Sequence, residues 1–159
     1  MKKNFNIQGA FISAGIALLI GFLSSILSGN SGAIYRTLDL PPYSPPPWLF
    51  GVVWPILYIL MGIAAYLVYI TPSNPKDKRN ALFTYAVQLF VNFSWSIVFF
   101  RFQAYGTAVI VLALLLFLVA LTLMFFYKID KLAASLLIPY LLWLLIAYYL
   151  NVGVFVLNL

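Results

Sequence analysis

The chain has 159 residues, of which 65% are hydrophobic and 8% charged, with a net charge of +6 and a mean hydropathy of +1.05. A soluble domain carries roughly a quarter charged residues, so this composition provides no solvated surface and places the chain, residues 1–159, in a bilayer as one domain. With no Cys and no His, disulfides, thiol nucleophiles and zinc–cysteine sites are excluded, the commonest general base is missing, and no metal site is expected.

A spanning helix needs about 20 mostly apolar residues, and five segments reach that length: 7–27, 48–70, 81–100, 104–126 and 132–155. None has Asp, Glu, Lys or Arg in its interior. The alternating ten-residue segments of a β-barrel are absent. The predicted fold class is therefore all-α, a five-helix transmembrane bundle.

The first segment follows Lys2 and Lys3, and Ser31-Gly32-Ala33 resembles a cleavage site. Its apolar stretch exceeds the 7–15 residues of a signal core, so it reads as a retained span. Gly9, Ser13, Ala17, Gly21, Ser25 and Gly29 recur along it every four residues. Small residues at that spacing let helix backbones approach closely in lipid. Packing against neighbours in the same bundle is the favoured reading, and a dimer face is the alternative.

The next stretch, "LPPYSPPPWLFGVVWP" from Leu40 to Pro55, holds six prolines and two tryptophans. Each proline fixes its own φ, so the connection is stiff: a lid over a cavity or a rigid spacer, with the lid favoured. Trp48 suits an interfacial anchor. Trp54, Tyr58 and Ala65 share a face of the second span, with Pro55 in its early turns.

In the third span Tyr85, Gln88, Asn92, Trp95 and Phe99 advance by 3, 4, 3 and 4 residues, which aligns them on one face beside Ser96. A side-chain amide facing hydrocarbon without a partner costs several kcal/mol, so Gln88 and Asn92 point into the bundle. Interhelical hydrogen bonding and a pocket wall are equally good readings of this stripe. The fourth span is almost entirely Val, Leu, Ala and Phe, as expected of a helix against lipid or a second subunit.

In the fifth span Pro139, Trp143, Ala147 and Asn151 recur every four residues. Pro139 frees a backbone carbonyl one turn earlier, and Ala147 leaves room beside Trp143. Trp95 and Trp143 lie about halfway along their spans, where interfacial anchoring does not explain them. Three helices thus offer aromatic and polar groups to a shared interior, the lining that a flat, largely apolar ligand requires.

Lys2, Lys3, Lys76, Lys78, Arg79, Lys128 and Lys131 fall on one side of this topology, and only Arg36 and Arg101 on the other. By the positive-inside rule the N-terminus is cytoplasmic and the C-terminus faces outward, which suits a bacterial plasma membrane. The basicity is an orientation signal, and no nucleic-acid partner is expected.

The segments "PPYSPPPWLFGVVWPILYILMGIAAYLVY", "QLFVNFSWSIVFF" and "IPYLLWLLIAYYLN" resemble the TspO/MBR family of tryptophan-rich sensory proteins and the mitochondrial translocator protein. The resemblance spans nearly the whole chain. It implies a cavity toward the first loop that binds porphyrins and drug-like aromatic ligands, lined by Tyr35, Trp54, Asn92, Trp95, Ser96, Trp143 and Ala147. With Tyr58, Gln88 and Phe99 from the helical stripes, these form the candidate site. It also implies a homodimer and, in some bacterial members, light-dependent porphyrin degradation at the tryptophans matching Trp54 and Trp143. The sterol motif of the animal members has no counterpart at the end of the fifth span, since no Lys or Arg follows Lys131.

Three functions are weighed. The first is a membrane protein that senses, sequesters or transports a porphyrin, with no resident cofactor. Lacking His and Cys for axial ligation, it should prefer the metal-free macrocycle. The second is an enzyme: Asp39, Asp77 and Asp130 all fall in predicted loops, and neither Ser94 nor Ser96 has an activating base in any span, so photo-oxidation is the one chemistry left. The third is a lipid- or sterol-binding protein or a partner-binding scaffold. Ion-coupled transport is disfavoured, because no ionisable group sits within a span.

Overall fold

The computed structural model describes residues 5–159, so Lys2 and Lys3 lie outside the described residues. Among these residues all regular structure is helical: α1 Ile7–Ser28, α2 Ser31–Thr37, α3 Pro47–Ile70, α4 Pro75–Ser96, α5 Tyr105–Ile129 and α6 Lys131–Leu157. Five of the six are long and apolar enough to cross a membrane, and α2 is a short helix in the first loop. The spanning helices close a ring: α1 packs on α3, α3 on α6, α6 on α5, α5 on α4, and α4 returns to α1.

Local chemistry explains the helix starts. Asn6, Asn30, Asn74 and Asp130 each accept a backbone N–H of the first turn they precede, satisfying donors that have no intrahelical partner. Pro47 and Pro75 occupy first-turn positions where a missing N–H costs nothing. Most helix ends fall within three residues of the apolar spans. The third span is the exception, since α4 begins at Pro75 rather than at Ala81. Its first turns are polar, capped by Asn74 and favoured by Asp77 near the positive end of the helix dipole, and hydropathy alone does not register them.

The other departure is at the far end of α4. Ile97–Arg101 form a π turn, closed by Phe102 N–H donating to the Ile97 carbonyl at 3.1 Å. Such single turns widen a helix locally and often mark functional positions. Here the turn packs against α1, α2 and α5.

The small-residue stripe of α1 packs inside its own bundle. A Cβ on Gly62 of α3 would stand 2.5 Å from Ala14 Cα, and the Ser13 hydroxyl donates to the Gly62 carbonyl at 2.7 Å. Gly9 lies against the Tyr66 ring and Gly21 against the Tyr58 ring. Helix α5 buries Ala108, Leu112, Leu115, Val119, Thr122 and Phe126, advancing by three and four residues, and turns Ile110, Leu114, Phe117 and Met124 outward.

The proline-rich connection crosses the bundle end and is strapped to α6. Asp39 N–H donates to Asn158 Oδ1 at 3.0 Å, Asn158 Nδ2 returns a bond to the Asp39 carbonyl, and the Tyr149 hydroxyl donates to the Pro42 carbonyl at 2.9 Å. Pro41 packs onto Gly153, where a Cβ would approach its ring to 2.4 Å.

Candidate functional site

A cavity of about 580 Å³ opens between α1, the first half of α3 and the α4 end. That size suits a drug-like ligand. One wall is aromatic: Phe50, Trp54 and Tyr58 from α3, Trp95 from α4 and Phe100 from the π turn. The Trp54 and Trp95 rings lie 6.3 Å apart, and Trp54 and Tyr58 lie 5.8 Å apart. The facing wall is α1, with Leu18, Gly21 and Phe22 beside Ser24, Ser25 and Ser28, and Ser31 follows at the start of α2. Pro55 lies one turn after Gly51, and both border the space.

Beneath the cavity floor a polar network fills the bundle centre. The Tyr58 hydroxyl donates to Asn92 Oδ1 at 2.9 Å, Asn92 Nδ2 donates to the Tyr140 hydroxyl, and that hydroxyl donates to Gln88 Oε1 at 3.1 Å. Gln88 Nε2 reaches Met61 Sδ at 3.9 Å. A second anchor holds the aromatic wall: Trp95 Nε1 donates to Asn151 Oδ1 at 3.0 Å, and Asn151 Nδ2 donates to the Tyr105 carbonyl at 3.2 Å. Every amide on these faces has a partner, which apolar surroundings demand.

Of the ten residues expected to line the site, Trp54, Tyr58, Trp95 and Ser96 border the cavity. Gln88 and Asn92 do not; they are buried below it in the network, where Asn92 fixes the Tyr58 phenol. Phe99 is buried behind Trp95, and Phe100 takes its place on the wall. The cause is the π turn: each residue advances a helix by about 100°, and the extra residue in the wider turn rotates the stripe off its α-helical phase.

Tyr35 is also displaced from the lining. It is buried under the first loop, donates to the Pro45 carbonyl at 2.7 Å and packs edge-on to Phe50 at 5.2 Å. Burial pushes its phenol pKa up, so it stays a neutral donor. Its role is to back the aromatic wall. Only Ser31 and Pro47, at the two ends of the first loop, border the cavity. The stiff middle of that loop is a strap on α6 and contributes no lining residue.

Trp143 sits on the other side of Phe50, with ring centroids 5.5 Å apart. It lines a separate apolar groove of about 370 Å³ between α3 and α6, with Leu57, Leu60, Pro139 and Leu142. Its Nε1 is buried without a partner among the described residues. Ala147 is buried one turn further along α6 and borders neither space.

The aromatic stripes did not signal Phe50, Phe100 or the serines. The signal for the serines was present in part, since the small-residue stripe contains both Gly21 and Ser25. Gly9 and Ser13 pack against α3, while Gly21 and Ser25 border the cavity. Trp48 is exposed in the first turn of α3, as an interfacial anchor would be.

Fold and cavity together define an integral membrane protein: a five-helix bundle with an aromatic-walled space between three of its spans. The TspO/MBR family matches residues 13–157, and the chain belongs to that family. It is 36% identical over 145 residues to the tryptophan-rich protein TspO of Chlorobaculum tepidum, covering 91% of this chain and 92% of that one. It is 36% identical over 154 residues to the TspO protein of Archaeoglobus fulgidus, covering 96% and 99%. The human translocator protein is 33% identical over 145 residues, covering 91% and 85%.

Proposed function

We propose that the chain binds a metal-free porphyrin, or another flat aromatic ligand, in the cavity between α1, α3 and α4, and so senses, sequesters or moves it. One observation carries this reading: a space of about 580 Å³ with an aromatic face on one side and hydroxyls on the other. Such a space matches a ligand with two apolar faces and a polar edge. Tyr58, the one phenol on that wall among the described residues, already gives its proton to Asn92. With no His or Cys in the chain, this donor set favours the metal-free macrocycle over haem.

We place the protein in a plasma membrane with its N-terminus cytoplasmic, following the charge bias. The cavity then opens near the outer face. The outward side of α5 would meet lipid or a second copy of the chain. A second reading, light-driven porphyrin degradation, is favoured by the Trp54 indole on the wall.

The test is a tryptophan-quenching titration in the dark with protoporphyrin and with haem, on purified wild type in detergent. Saturable binding, tighter for protoporphyrin, supports the reading. Binding that is tighter for haem with a spectroscopically visible iron–protein bond contradicts the metal-free preference, and no saturable binding removes the site.

A further inference from the structure

Next in the chain to the cavity lining, Arg101 carries a positive charge that no carboxylate pairs among the described residues. Phe100 borders the space, and the next residue, Arg101, donates from Nη1 to the Leu27 carbonyl at 3.2 Å. Leu27 directly precedes Ser28, which lines the opposite wall. The guanidinium therefore bridges the π turn to the end of α1; Arg101 is not itself on the lining, but the two residues it joins each stand next in the chain to one that is. It has five N–H donors, and the Leu27 bond occupies one of them. It pairs with no carboxylate among the described residues. Within the cavity, the hydroxyls of Ser25, Ser31 and Ser96 are on the lining and engage no partner among the described residues.

Resting on the ligand reading above, we infer that Arg101, with the free serine hydroxyls, forms a carboxylate anchor at the cavity mouth, so that the site selects flat aromatic acids over their neutral counterparts. An aromatic macrocycle stacked on Trp54 and Trp95 turns its second face to α1 and its edge to the cavity mouth. A carboxylate on that edge meets a planar cationic fork, which forms stronger, more directional bonds than a neutral donor. At the membrane boundary the guanidinium reaches polar surroundings while its stem stays in the apolar layer. The competing reading is structural, with Arg101 serving only to satisfy the negative end of α1. The two differ in what they predict for a neutral ligand.

The experiment compares protoporphyrin IX with its dimethyl ester, which has the same ring and no carboxylate. Both are titrated in the dark on wild type, Arg101→Gln and Arg101→Lys. The wild type should bind the diacid about tenfold more tightly than the ester. Arg101→Gln should bring the diacid to the level of the ester with ester binding unchanged, and Arg101→Lys should keep most of the preference. Unchanged ester binding also shows that the Gln variant is folded. Equal wild-type affinities for the two ligands overturn the anchor while leaving the aromatic site standing. Parallel weakening of both ligands in Arg101→Gln overturns it in favour of the structural role. Failure of both ligands to saturate the wild type removes the site and the anchor with it.

Discussion

Tyr58 and Asn92 meet where the cavity wall joins the buried centre of the bundle, the phenol donating to the amide oxygen at 2.9 Å. Asn92 passes the connection to Tyr140, and Tyr140 passes it to Gln88. The stripe on α4 that reads equally as interhelical bonding or as pocket wall is both, at different depths. Gln88 and Asn92 bond helices together, while Trp95 and Ser96, a turn nearer the mouth, face the cavity.

Asn92→Leu should therefore do two things. It strands the Tyr58 hydroxyl in apolar surroundings, at about 1–3 kcal/mol, and leaves Tyr140 with Gln88 as its one remaining partner in the network, and it frees the Tyr58 ring on the wall. A lower unfolding midpoint in detergent and weaker porphyrin binding are expected together. Tyr140→Phe should lower stability with a smaller effect on binding, because Tyr140 does not border the cavity. Loss of binding in Tyr140→Phe equal to that in Asn92→Leu would contradict this division.

The two tryptophans paired by family resemblance should behave differently. Trp54 forms the wall, whereas Phe50 stands between the cavity and Trp143. Trp54→Phe should weaken protoporphyrin binding about fivefold through lost stacking area, and Trp143→Phe should change it less than about twofold. Equal losses in a dark titration would place the ligand across Phe50, in contact with both indoles.

Gly62 sets how closely α1 and α3 approach. A Cβ there would stand 2.5 Å from Ala14 Cα and 2.6 Å from the Ser13 carbonyl, and backbone cannot step aside as a flexible side chain can. Gly62→Ala should cost about 1–3 kcal/mol by forcing the helices apart. Gly15→Ala is the control, since nothing lies within 4 Å of its Cβ position. It should be neutral or stabilising by up to about 1 kcal/mol. Thermal unfolding of both variants in the same detergent separates them.

The strap makes its own prediction. Asn158→Ala removes both bonds to Asp39, and Gly153→Ala pushes against the rigid Pro41 ring. Either change should speed hydrogen exchange at the Asp39 amide and sharpen proteolysis within residues 38–46. Helical circular dichroism should stay unchanged. Protection equal to wild type would mean that the prolines hold the loop without α6.

Much of the architecture is legible in composition and spacing. Five spans follow from runs of apolar residues without charge, because a bilayer forces backbone hydrogen bonds inside each segment. The inward faces of α4 and α6 follow from amides and aromatics recurring at helical intervals. The polar start of α4 escaped this reading, since hydropathy measures lipid preference while Asn74 and Pro75 act through capping geometry.

What spacing does not contain is the rotation of each helix about its axis. Spans, faces and family were written in local order along the chain, where the rules of helix period and membrane thickness apply residue by residue. Which faces meet was decided only in three dimensions. Close approach at Gly62 seats α1 on α3, the π turn swaps Phe99 for Phe100, and Phe50 divides Trp54 from Trp143. These are long-range packing contacts between helices. A cavity is what remains where such contacts leave space, so its lining follows from the assembled bundle rather than from any one segment.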